Sequence, residues 1–178
     1  MEEQSEALGQ LAVAAVICVL GIFAALVILF NSLSQPLLIM LAIPFGLLGV
    51  VVCYAVQGLS MGMMAITGII GLVGVLVNDS LVLLHTLNKE RAARGRRLSV
   101  AEVTEVAHRR FRPIFITSVT TAVGLMPTAY GILGENSYIS PMVMSMAWGV
   151  VFGGLVSLVL LPVLYMIEQD LRATLGRA

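Results

Sequence analysis

The chain has 178 residues, 59% of them hydrophobic and 11% charged, with a mean hydropathy of +1.01. That leaves too little polar surface for a water-soluble domain of this length, so several membrane spans are expected. Ten Lys and Arg balance ten Asp and Glu, and the zero net charge gives no reason to expect a nucleic-acid partner.

A span needs roughly 20 apolar residues, about 30 Å at 1.5 Å per residue. Five runs meet that length: residues 8–30, 37–56, 60–87, 113–132 and 141–167. They are continuous rather than alternating, which selects helices over a barrel. The expected fold is all-α: one transmembrane domain over 1–178, a polytopic membrane helix bundle of five transmembrane helices with a short surface helix. The acidic start Met1-Glu2-Glu3-Gln4-Ser5-Glu6 lacks the positive charge of a signal peptide. Its abruptness suggests a fragment or half of a larger protein.

The turn Asn31-Ser32-Leu33-Ser34-Gln35-Pro36 separates the first two spans, and Gln57-Gly58 closes the second. A hydrophilic segment, 88–112, follows the third. Within it Ser99-Val100-Ala101-Glu102 has the pattern of a capping box, with Val100, Val103 and Ala107 on one face; this is the predicted surface helix. Gly134-Glu135-Asn136-Ser137 forms the last loop.

Lys89, Arg91, Arg94, Arg96, Arg97, Arg109, Arg110 and Arg112 lie in or beside segment 88–112, and Arg172 and Arg177 lie in the tail. Two spans separate these clusters, so both face the same side, which the positive-inside rule makes cytoplasmic. Five crossings then leave the N-terminus outside. Gly68, Gly71 and Gly74, and the pair Gly149 and Gly153, read as small faces for close helix packing. Cys18 and Cys53 lie in apolar runs without metal-motif spacing and read as packing residues.

Asp79 is the deepest acid in the chain. It sits beside Asn78, about ten residues before the cations begin at Lys89. An ionised carboxylate at mid-bilayer costs ~2.5–3.5 kcal/mol on insertion scales, so an intramembrane acid is read as functional, and proton relays are its usual use. On the fourth span, Arg110, Thr117, Thr121, Gly124 and Thr128 share a helical face. A guanidinium at the mouth with hydroxyls leading inward suits a proton path. The bland alternative is that each hydroxyl bonds a carbonyl one turn back. His85 extends the relay toward the cytoplasm or simply lies at the interface. Met61, Met63, Met64, Met142, Met144 and Met146 have no Cys or His beside them and read as gap fillers rather than a metal site. No cofactor is expected. There is no nucleophile–base pair, zinc motif or phosphate loop to make an enzyme.

Three stretches resemble one family in the right order and spacing. Ser34-Gln35-Pro36-Leu37-Leu38-Ile39-Met40-Leu41-Ala42-Ile43-Pro44-Phe45-Gly46 resembles the turn and helix in the second half of resistance–nodulation–division (RND) efflux transporters. Gly71-Leu72-Val73-Gly74-Val75-Leu76-Val77-Asn78-Asp79-Ser80 is similar to the pivotal helix of that half. Arg109-Arg110-Phe111-Arg112-Pro113-Ile114-Phe115-Ile116-Thr117-Ser118, continued by Gly124-Leu125-Met126-Pro127, is similar to the helix after it.

The resemblance implies the last five helices of a proton-driven efflux antiporter in the bacterial inner membrane, tied to multidrug resistance and inactive without its first half and porter domains. The implied partners are that N-terminal half, a homotrimer, a periplasmic adaptor, an outer-membrane channel and the lipid bilayer. Arg110 and Thr117 match the family's relay arginine and threonine. Asn78 stands where drug pumps carry lysine, and Asp79 where they carry asparagine, so the charge pairing with the first half's aspartates is not copied here. With its partner helix absent, Asp79 is expected on the uncovered face of the bundle. A protein-export accessory of the SecD/SecF type is the alternative.

Overall fold

The computed structural model describes residues 2–132, 134 and 138–174, and among these there are helices and turns but no strand. Six helices follow in order: α1 Glu2–Phe30, α2 Ser34–Met40, α3 Ile43–Gln57, α4 Met63–Arg94, α5 Val100–Ala129 and α6 Ser140–Thr174. The predicted loop at 134–137 lies outside the described residues except for Gly134, and Arg177 lies outside them altogether.

Two boundaries differ from the sequence reading, each for a local reason. The second expected span is two helices with a break at Leu41–Ala42. Pro44 lacks the N–H that would bond to the carbonyl four residues back, so the chain restarts with the proline in the first turn of α3. The expected segment 88–112 is helical apart from residues 95–99. α4 runs on to Arg94 and stops at Gly95, whose φ of 61° is the left-handed conformation of a helix C-cap. The predicted surface helix does not stand alone; it forms the opening turns of α5, which continues through Pro113.

The capping box is formed at that opening. Ser99 Oγ accepts from the Glu102 N–H, and Glu102 Oε2 accepts from the Ser99 N–H at 2.8 Å. Glu102 also pairs with Arg96 at 2.6 Å and with Arg94. The Ser99 backbone bond, first, and then the Arg96 guanidinium hold this carboxyl down at about 2, below its ordinary 4.5. A lowered pKa means the clamp is intact above pH 4.5 and is lost as pH falls toward 2. A spin label at Ala101 is expected to stay ordered down to the upper limit and to loosen below it. Glu102→Gln should abolish that pH dependence.

α6 is the hub and packs along α3, α4 and α5. No hydrophobic driving force pulls helices together in lipid, so close contact must do the work. Glycines provide it. A methyl group at Gly68 would run into the Met142 backbone, and one at Gly153 would meet Leu76 and the Cα of Gly46. Gly74, by contrast, touches nothing within 4 Å, so the three α4 glycines do not form one packing face. Cys53 is buried in the core and Cys18 lies on the open side of α1; both are free.

Polar ties lock the two ends. Tyr54 Oη donates to the Pro141 carbonyl at 2.7 Å and accepts from Ser145 at 3.2 Å, joining α3 to α6. At the basic end Gln35 and Asn88 exchange amide bonds of 3.1 and 2.8 Å, and Tyr165 Oη donates to Asn88 at 3.3 Å. Four stretches are long and apolar enough to cross a membrane: Glu6–Phe30, Ser34–Gln57, Met63–Arg94 and Ser140–Leu171. α5 is less apolar, because Arg109, Arg110, Arg112 and four hydroxyl residues at 117, 118, 120 and 121 interrupt it.

Candidate functional site

The two sides of α4 are sharply different. Gly71, Gly74, Asn78, Val82, His85 and Lys89 are exposed, spaced by threes and fours along one stripe. Leu72, Leu76, Asp79, Ser80, Leu83 and Leu87 are buried on the other side. Asn78 and Asp79 are neighbours in sequence but point apart, since one residue turns a helix by about 100°.

Asp79 is only 6% exposed and lies inside its own bundle. The expectation that it waits on the uncovered face is wrong; Asn78 is the residue there. Asp79 stands between Leu76 and Leu83, the latter part of the core at the basic end. Ten residues, about 15 Å of helix, separate it from Lys89, which corresponds to half the thickness of a hydrocarbon layer.

Its neighbour across the helices is Ser118 of α5, whose hydroxyl faces the carboxyl. Asp79 Oδ2, Ser80 Oγ and Ser118 Oγ are all buried without a well-formed hydrogen bond, so the pair is within electrostatic reach rather than locked. α6 makes room for it: a Cβ on Gly154 would stand 2.7 Å from Ser118 Oγ. Beside Ser118 is a cavity of about 40 Å³ whose wall includes Phe115, Val151 and Leu158. Apart from the Ser118 hydroxyl its lining is apolar, and a buried water needs roughly two to four polar partners, so the cavity is a packing gap beside the hydroxyl. What the packing brings together is one buried acid of α4 and one buried hydroxyl of α5, and a carboxyl in such a place can hold a proton.

The other expected relay residues lie elsewhere. Thr117 is exposed and donates to the Pro113 carbonyl at 3.0 Å, the ordinary bond one turn back. Arg110 is half-buried, eight residues and about 12 Å before Ser118, and has no ion pair among the described residues. Thr121 is half-buried, and His85 shares the open stripe with Asn78. Ser118 and Ser80 were missed because the face was traced from Arg110. The buried stripe of α5 is Ile114, Ser118, Ala122 and Ala129, and its run of small residues was the available signal.

The six methionines do not share one environment: Met61 and Met63 are exposed. Met144 is buried in the core, and Met146 lies against Gly71. Among the described residues no three His, Cys, Asp or Glu gather as a metal site.

The sequence matches the model of the AcrB/AcrD/AcrF family over residues 1–169. It is 30% identical over 164 residues to the cobalt-zinc-cadmium resistance protein CzcA of Cupriavidus metallidurans, covering 92% of this chain and 15% of that protein. It is also 30% identical over 154 residues to the swarming motility protein SwrC of Bacillus subtilis, covering 85% of this chain and 14% of the relative. The fold is similar to that of a heavy metal efflux pump solved by crystallography, with a TM-score of 0.82 and 28% identity, over 96% of this chain and 16% of the pump. The chain thus spans about one-seventh of its relatives' length.

Proposed function

From the premise that this chain belongs to the AcrB/AcrD/AcrF family of RND transporters, we propose that it forms the membrane-embedded, proton-coupling part of an efflux antiporter. The observation that carries this reading is Asp79, a carboxyl buried at mid-helix beside Ser118 with no cation paired to it among the described residues. A charge so placed is expensive unless it is neutralised in turn by a proton. Asp79 takes up the proton, Ser118 and Ser80 shape its surroundings, and Arg110 sets the potential at the basic mouth. Asn78, Thr117, Thr121 and His85 line or flank the route on its open side. The proteins named above include a cobalt-zinc-cadmium resistance protein and a heavy metal efflux pump, and none is a protein-export accessory of the SecD/SecF type.

The five crossings are α1, α2 with α3, α4, α5 and α6, forming one inner-membrane domain whose basic end is cytoplasmic. The N-terminal half, a trimer, an adaptor and an outer-membrane channel complete the pump, and the chain alone moves no solute. In a protein lacking Cys18 and Cys53, Gln4→Cys is expected to react with an impermeant reagent from outside, and Arg96→Cys is not. The opposite pattern would invert the topology. Proteoliposomes test coupling. The complete transporter should acidify or alkalinise its lumen in step with cargo flux, and flux indifferent to the pH gradient sinks the proposal.

A further inference from the structure

The basic end holds a second site, independent of the relay. Between the last turns of α4 and the connection to α5 is a cavity of about 360 Å³, lined by Asn88, Arg91, Ala92, Gly95, Arg96 and Arg97. Its floor is fixed, because Asn88 is held by Gln35 and Tyr165. Gly95 keeps one wall open, with nothing within 4 Å of where a side chain would begin.

The charge around this cavity is unbalanced. Residues 89–102 carry five cations and two carboxylates, a formal +3. Both carboxylates are engaged: Glu102 pairs with Arg94 and Arg96, and Glu90 approaches Arg94 at 3.6 Å. No carboxylate pairs with Arg91 or Arg97 among the described residues. Cations at a helix C-terminus offset the helix dipole, which explains some of this charge but not a cavity walled by three guanidinium groups.

Depth identifies the ligand. Leu87 is fully buried in the apolar core, and the polar residues begin at Asn88, so the cavity lies where the bilayer's phosphates lie. Guanidinium groups match phosphate oxygens two at a time. Basic pockets between spans on the cytoplasmic side suit anionic headgroups.

We propose that the Arg91–Arg96–Arg97 cavity binds a phosphate group, presented by an anionic lipid headgroup or by free phosphate. Native mass spectrometry of the purified protein, released from micelles holding equal phosphatidylglycerol and phosphatidylcholine, reads the preference directly. Phosphatidylglycerol should be retained preferentially. Each arginine lost should lower that preference about fivefold, the worth of one basic residue at an anionic surface. Arg91→Gln and Arg97→Gln should act together, whereas Arg109→Gln, whose partner is Glu105 on the exposed side of α5, should change nothing. Glu102→Gln should strengthen binding, because it releases Arg96, which lines the cavity, while a glutamine still serves the capping box.

Inorganic phosphate at millimolar level separates the sources: displacement of the lipid assigns the cavity to free phosphate, and no displacement assigns it to the headgroup. Equal retention by the parent and the Arg91→Gln/Arg97→Gln protein, both helical by circular dichroism, overturns the proposal. If the double variant loses its helicity, Arg97→Gln alone, at an exposed position, gives the same reading.

Discussion

Replacing Asp79 with asparagine in the complete transporter is expected to abolish gradient-driven efflux and leave expression and membrane insertion intact. A proton carrier must exist in charged and neutral forms during each cycle, and an amide has only the neutral one. The shape is nearly unchanged, and the neutral side chain avoids the ~2.5–3.5 kcal/mol cost of a mid-bilayer charge. Folding should therefore survive or improve while transport fails. That combination separates a relay from a packing role, because a packing role predicts the reverse. Ser118→Ala is expected to slow efflux without abolishing it, since the hydroxyl faces the carboxyl but forms no locked bond. The two readouts are efflux from whole cells and thermal unfolding in detergent. If Asp79→Asn pumps normally at every external pH where the parent works, coupling rests on the aspartates of the other half.

The bundle was legible because bilayer physics leaves few options. Long apolar runs must be helices, and the capping box at Ser99 and Glu102 announced the start of α5. What the sequence hid was orientation. Asn78 and Asp79 differ by one helical step, and only the packing of α5 and α6 decides which of them turns inward. Thr117 and Ser118 posed the same problem, and the stripe drawn from Arg110 chose the residue that faces out. The break before Pro44 was in plain view as a proline inside an apolar run, yet hydropathy averages across it. The glycines look alike in sequence, whereas a side chain at Gly68 would meet backbone, one at Gly149 the Leu72 side chain and one at Gly74 nothing within 4 Å.

That difference gives the second large effect, expected for Gly68→Ala. At Gly68 the new methyl would meet main chain: the Met142 carbonyl, with its carbon 2.9 Å away. Main chain inside a helix cannot rotate aside, so α4 and α6 must separate where they meet near the start of α6. Overpacking of a tight core costs typically ~1–3 kcal/mol, occasionally more, and Gly68→Ala should lie at or above the top of that range. At Gly149 the obstacle is the fully buried Leu72 side chain, which can shift its outer carbons, so Gly149→Ala should fall lower in the same range. At Gly74 there is open space, and alanine is the better helix former by ~1 kcal/mol, so Gly74→Ala should be neutral or mildly stabilising in the isolated chain. The measurement is the unfolding midpoint of each variant in one detergent. Equal destabilisation by all three substitutions in the isolated chain would mean that helix-wide strain, rather than contact at Gly68, governs how closely α4 and α6 pack.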